Sequence, residues 1–256
     1  MIKNKEKEGN FISHLTELRS RLINSLIFLS ILFVICYYFS DYIYGFLVEP
    51  YAEAVKESKI ERRLIFTALQ ETFLTYVKVS FFTAFFFTSP IILIQIWKFI
   101  APGLYEHEKL ALIPYMILTP ILFLLGGMLV YYLIMPLAIE FFLSFESSGA
   151  STNLPIQLEA KVNEYLSLIM KLIFAFGLSF QLPVILSLLA RIGLIDSKFL
   201  KKRRKYVVVM IFAMAAILTP PDPVTQIGLA IPLLILYELS IFSVKIIEKK
   251  IEEKNA

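Results

Sequence analysis

The sequence predicts an all-α integral membrane protein of six transmembrane helices, and three observations carry that prediction. Of its 256 residues, 58% are hydrophobic, above the roughly 45–50% apolar content of ordinary globular chains. Mean hydropathy is +0.73. Only 18% of residues are charged, and they cluster between uncharged runs long enough to cross about 30 Å of hydrocarbon. Lipid then replaces much of the buried core that a soluble chain needs.

The spans fall at about 22–39, 73–100, 110–139, 164–190, 206–218 and 223–244, within a single polytopic domain over residues 1–256. Leu22–Phe39 is the first uncharged run. Val79–Trp97 is the second, with its pattern reaching back through Phe73, Tyr76 and Val77. Leu110–Ile139 is longer than a bilayer requires, which predicts strong tilt or an extension beyond the membrane. Leu172–Ala190 forms the fourth. Tyr206–Leu218 and Pro223–Val244 flank Thr219-Pro220-Pro221-Asp222. Prolines stop the fifth helix there, and Asp222 with Pro223 supplies an N-cap and first-turn pair, so a tight hairpin is expected. The fifth run is about 13 residues, or roughly 20 Å. That length predicts local thinning or water penetration around helices five and six.

Six spans put both termini on one side. Eighteen of the 25 lysines and arginines then share that side, with the Lys201–Lys205 run dominating. The positive-inside rule assigns N-in, C-in. The outside loops, about 40–70 and 144–165, contain apolar residues such as Phe46, Leu47 and Phe66. Both are long enough to predict a partly structured cap. No cleavable leader is expected, because the first twenty residues are polar and the first apolar run lacks a small-residue cleavage site.

Chemistry on bound groups is not expected. Cys36 is the only cysteine, so it forms no intramolecular disulfide or thiol metal site. The sequence has no GxxxxGK phosphate loop. Its two histidines, His14 and His107, lie outside the spans, and no pair of intramembrane aspartates or His/Glu metal cluster appears. The chain therefore reads as a non-enzyme without cofactor, metal or nucleic-acid partner, working by binding.

Four polar groupings stand out. Phe11, Leu15, Leu18 and Leu22 recur at helical spacing beside a stripe of His14, Glu17 and Arg21, which predicts an interfacial helix with an i,i+4 Glu17–Arg21 pair. The first inside loop, Trp97 to Lys109, is broken by Pro102-Gly103 and carries Glu106 and Glu108. Glu17 and Glu108 could together form an inside acidic patch suited to a guanidinium fork. A solvated loop charge is the plainer reading. Gln181 sits in the fourth span and needs a partner helix or cavity. Asp222 and Gln226 flank the outside hairpin, and Glu238 lies several residues from the inside end of span six.

These residues resemble the TatC family in four ordered motifs covering nearly the whole chain. They are His14-Leu-x-Glu17-Leu-Arg19-x-Arg21-Leu22, Ser89-Pro90 with Trp97 through Glu108-Lys109, Phe176-Gly-x-x-Phe-Gln-x-Pro183, and Thr219-Pro-Pro-Asp222 with Gln226, Pro232 and Tyr237-Glu238. The resemblance implies a concave bundle with short helices five and six. It also implies a receptor in the cytoplasmic membrane for twin-arginine signal peptides on folded cargo, with transport driven by the proton-motive force. The partners it implies are single-span TatA and TatB proteins, membrane lipid, and further copies of the chain within a complex. By the same resemblance Glu17, Glu108, Arg19, His14 and Arg21 form the signal-peptide site, and Gln181, Thr219, Asp222, Gln226 and Glu238 meet partner helices. The family commonly carries Glu at the position of Gln181. An amide still forms hydrogen bonds but does not titrate, which removes proton coupling there and leaves polar docking. The alternative reading is a small-solute transporter, which calls for paired broken helices in two repeats, and no internal repeat is seen. A cargo-free assembly protein is the other rival, and it would be indifferent to loss of Glu17 and Glu108.

Overall fold

The computed structural model describes residues 2–56, 63–100, 113–147, 154, 156–218 and 223–255. Among them it is helical, with α1 Ile2–Tyr38, α2 Ser40–Val55, α3 Glu71–Ile100, α4 Ile113–Leu129, α5 Met135–Leu143, α6 Val162–Ser179, α7 Leu182–Arg191, α8 Ser197–Leu218 and α9 Pro223–Asn255. Five stretches are long and apolar enough to cross a membrane: Thr16–Tyr38, Glu71–Ile96, Ile113–Leu143, Val162–Arg191 and Thr225–Glu253. This is a multi-pass membrane protein. α8 is not among the five, because its 22 residues open with a basic run and leave only Tyr206–Leu218 apolar.

Several boundaries differ from the sequence reading. The interfacial segment and first span are one continuous helix of 37 residues. Most of the first outside loop is helical, as α2. The expected fifth and sixth helices, α8 and α9, run for 22 and 33 residues, although the apolar part of α8 remains the short Tyr206–Leu218. α9 reaches its length because its charged C-terminal end continues the helix with a Lys249–Glu253 pair. The Thr219–Asp222 hairpin lies outside the described residues, and α9 begins at Pro223, as a first-turn proline allows.

Prolines explain the irregularities of the spans. Each lacks an N–H and crowds the carbonyl four residues earlier, and in hydrocarbon that carbonyl has no water to turn to. In α3, Pro90 leaves the Phe86 carbonyl without its helical donor, and the Ser89 hydroxyl donates to it at 2.7 Å. In α2, which is not among the five spans but is buried around Pro50, that proline does the same to Phe46, and the Tyr131 hydroxyl donates to that carbonyl at 2.7 Å. Pro136 is accommodated by a π-helical turn over Val130–Ile134, closed by the Met135 N–H on the Val130 carbonyl. Pro183 breaks the fourth span outright. α6 ends at Ser179 and α7 restarts at Leu182, with Gln181 N–H bonded back to the Leu178 carbonyl at 2.9 Å.

The described chain divides into two compact units, residues 1–44 with 76–120, and residues 45–75 with 121–256. In the first, α1 lies along α3, with Ser80 donating to the Cys36 carbonyl at 3.4 Å and Phe33 edge-on to Phe81 at 6.3 Å. In the second, α4 and α6 meet backbone to backbone. A Cβ on Gly126 would come within 2.7 Å of the Phe176 carbonyl oxygen, and one on Gly177 within 2.7 Å of the Phe123 ring. Small residues permit such approach where no hydrophobic force drives helices together in lipid. α9 packs on α7 and α8 through Ala190, Leu200, Tyr237, Ile241 and Val244, and the Tyr237 hydroxyl donates to the Leu200 carbonyl at 2.9 Å. Outside the spans, Ile65 pairs with Lys161 and Ser147 with Ile156 in isolated β-bridges.

Two outcomes follow for purified protein in detergent, read by thermal unfolding. Gly126→Ala and Gly177→Ala each destabilise by about 1–3 kcal/mol. Phe123→Leu relieves Gly177→Ala, whose obstacle is a ring, and does not relieve Gly126→Ala, whose obstacle is backbone. Tyr131→Phe leaves the Phe46 carbonyl without its donor and loses about 1–3 kcal/mol, and Pro50→Ala shrinks that loss by restoring the helical N–H. Equal losses in both backgrounds would show that Tyr131 does not act through that carbonyl.

Candidate functional site

Helical spacing builds the first cluster. Glu17 and Arg21 stand one turn apart on α1, so both project to one side. The Glu17 Oε1 atom accepts from Arg21 Nη2 at 2.5 Å and from Nε at 3.1 Å. A third hydrogen bond, unforeseen in the sequence, runs from Arg21 Nη1 to Gln95 Oε1 on α3 at 2.8 Å. One guanidinium thus holds a carboxylate on its own helix and an amide on a neighbouring one. The pair is partly open, with Arg21 24% and Glu17 37% exposed. Arg19 is exposed beside it. His14 lies on the α1 helix, its side chain outside the described residues, and Glu108 is outside them altogether.

The residues read as partner contacts do not gather in one place. Gln181 occupies the break between α6 and α7 and is only 2% exposed. Its Nε2 lies 3.5 Å from the Gly177 carbonyl, so it is held inside this chain. Gln226, half-buried on α9, donates to the Phe212 carbonyl of α8 at 3.2 Å. Glu238 bonds Arg204 across the same two helices at 2.5 Å, both about half exposed; such a surface pair contributes little by itself. Thr219 and Asp222 are outside the described residues.

A second polar cluster also escaped the sequence reading. The π-turn brings Tyr131 to Glu49 Oε2 at 3.1 Å and stacks its ring on Phe46, centroids 4.4 Å apart. Glu49, Pro50, Glu53, Tyr131, Tyr132 and Pro136 line a cavity of about 270 Å³ there. Among the described residues, no group of three or more His, Cys, Asp or Glu side chains is placed to hold a metal. Gln95 carried a usable signal, an amide in an otherwise apolar run. Glu49 and Tyr131 carried none, since their pairing spans 82 residues and depends on the π-turn.

Comparison with known proteins places this geometry in context. The family model "Sec-independent protein translocase protein (TatC)" matches residues 13–232. The TatC protein of Magnetococcus marinus is 45% identical over 98% of this chain and 89% of its own length. That of Rickettsia prowazekii is 47% identical over 93% and 94%, and that of Escherichia coli K12 36% identical over 90% and 86%. A crystal structure of the twin arginine translocase receptor TatC superposes with a TM-score of 0.77 at 39% identity, covering 92% of this chain and 99% of that one. With a family model matching most of its length and such relatives along nine-tenths of it or more, the chain belongs to the TatC family.

Proposed function

We propose that this chain is the twin-arginine signal-peptide receptor and core subunit of a translocase that exports folded proteins across the cytoplasmic membrane, driven by the proton-motive force. The observation that carries the proposal is the likeness, along nearly both full lengths, to a solved twin arginine translocase receptor. The half-open Glu17 carboxylate supports it, because that group already binds a guanidinium in this chain.

Glu17 and Glu108 engage the arginine pair of the signal, with Arg19 and the His14–Arg21 segment shaping the site. Arginine suits it because the fork of donors stays charged and binds carboxylate through two hydrogen bonds. Both termini and this site lie on the cytoplasmic side, in keeping with the lysine and arginine bias. α8 and α9 take the partner helices of TatA and TatB. Val209, Met210 and Ile217 are exposed on α8, and its short apolar stretch thins the bilayer locally. The segment around Gln181, at the break between α6 and α7, adds to the partner-helix surface while the amide itself is enclosed. Nothing in this reading calls for catalysis.

Binding of labelled signal peptides bearing Arg-Arg or Lys-Lys to the purified chain in lipid nanodiscs tests the reading. Wild type prefers Arg-Arg. Glu17→Ala and Glu108→Ala each weaken Arg-Arg binding by roughly tenfold to a hundredfold, the worth of a charge-assisted hydrogen bond. Retention of the full preference in both variants would remove the carboxylate site, and a folded wild type indifferent to every signal peptide would remove the receptor.

A further inference from the structure

We propose that Arg21 is a resident guanidinium that the ligand must displace from Glu17, and that Gln95 is the positioning residue that keeps it there. The inference rests on the reading of Glu17 as an arginine-binding carboxylate, and adds what occupies that carboxylate before the ligand arrives. Three hydrogen bonds carry it. Arg21 gives Nε and Nη2 to one oxygen of Glu17 and Nη1 to Gln95. An i,i+4 pair on an open helix surface is weak and mobile. Here the guanidinium is fixed from a second helix as well, within one compact unit of the fold. The Arg21 carbonyl in turn accepts from the buried Ser25 hydroxyl at 3.0 Å.

Partial exposure of the pair leaves it within reach of a ligand. A cation arriving at Glu17 therefore competes with a charge already in place. An ammonium is a compact, strongly hydrated point charge without the planar fork, and it cannot reproduce both bonds it would replace. A second guanidinium can. Displaced Arg21 keeps its Nη1 bond to Gln95, so the resident group swings aside while the arginine of the ligand takes over its carboxylate. The cost of moving Arg21 is the same for every cation, so the resident group lowers all affinities at Glu17 by one factor. It sets a threshold that only a ligand able to remake both bonds passes with net gain.

The test uses the full chain in nanodiscs, with Arg-Arg and Lys-Lys peptides titrated against wild type, Gln95→Leu and Arg21→Gln, each checked for helical content and thermal unfolding. Both variants strengthen binding of both peptides by about tenfold and leave the gap between them in place, since the competitor that each must displace is loosened or gone. A residue that merely supports the fold would weaken binding of both peptides, so a gain shared by both is specific to displacement. Unchanged or weakened binding of both peptides in both variants, with wild type still preferring Arg-Arg, overturns the proposal. Wild type that binds neither peptide, or a full preference surviving Glu17→Ala, overturns the underlying site reading instead.

Discussion

Carbonyl oxygens that lose their helical donors set the terms for this molecule. In lipid a backbone group without a partner has no water to fall back on, and prolines inside apolar helices create such groups. The chain meets the demand in different ways. A neighbouring hydroxyl serves the carbonyl freed by Pro90. A distant tyrosine serves the one freed by Pro50. A π-turn absorbs Pro136, and a complete break absorbs Pro183. These local repairs decide which side chains face inward, because a π-turn or a break rotates everything beyond it relative to a regular helix.

The second consequence is close packing without a hydrophobic drive. Gly126 and Gly177 let α4 and α6 meet almost at backbone distance, and fully buried Phe123 and Phe176 fill the space beside them. Tyrosines then act as ties between elements: Tyr131 to α2, Tyr165 to the Leu47 carbonyl at 3.1 Å, and Tyr237 to the Leu200 carbonyl. Each buries a ring and satisfies its hydroxyl on backbone, which suits a residue with an apolar body and one polar handle. α1 contrasts with this. Leu22, Ile31 and Val34 are more than half exposed, so its apolar face is left to lipid or to other chains.

Polar chemistry on such a scaffold is sparse, and its placement gives it meaning. Glu17 and Arg21 need only helical spacing to meet, so a lone helix would form the pair. Gln95 changes its character by fixing one end of the guanidinium from α3. An exposed ion pair becomes a held group whose release has consequences at the carboxylate. Gln181 is the opposite case, an amide enclosed at a helix break where it serves the packing of its own chain.

Much of this was legible in the sequence. Uncharged runs set the spans, because hydrocarbon thickness fixes their length. The spacing of Glu17 and Arg21 set their pairing, and the ordered motifs pointed to the family. The full extent of α1, α2 and α9 was not legible. The interfacial helix was expected to lead into the first span rather than to be one helix with it, the α2 segment was expected only as part of a structured cap, and the charged end of α9 lay beyond the last apolar run. Nor were the π-turn, the break at Pro183 and the contacts of Gln95, Glu49 and Tyr131, which join residues far apart in the chain. Periodicity reports what one helix presents along its own length. Which neighbour supplies the donor for a freed carbonyl or the acceptor for a spare N–H depends on how helices are arranged in space, and only the tertiary structure decides that.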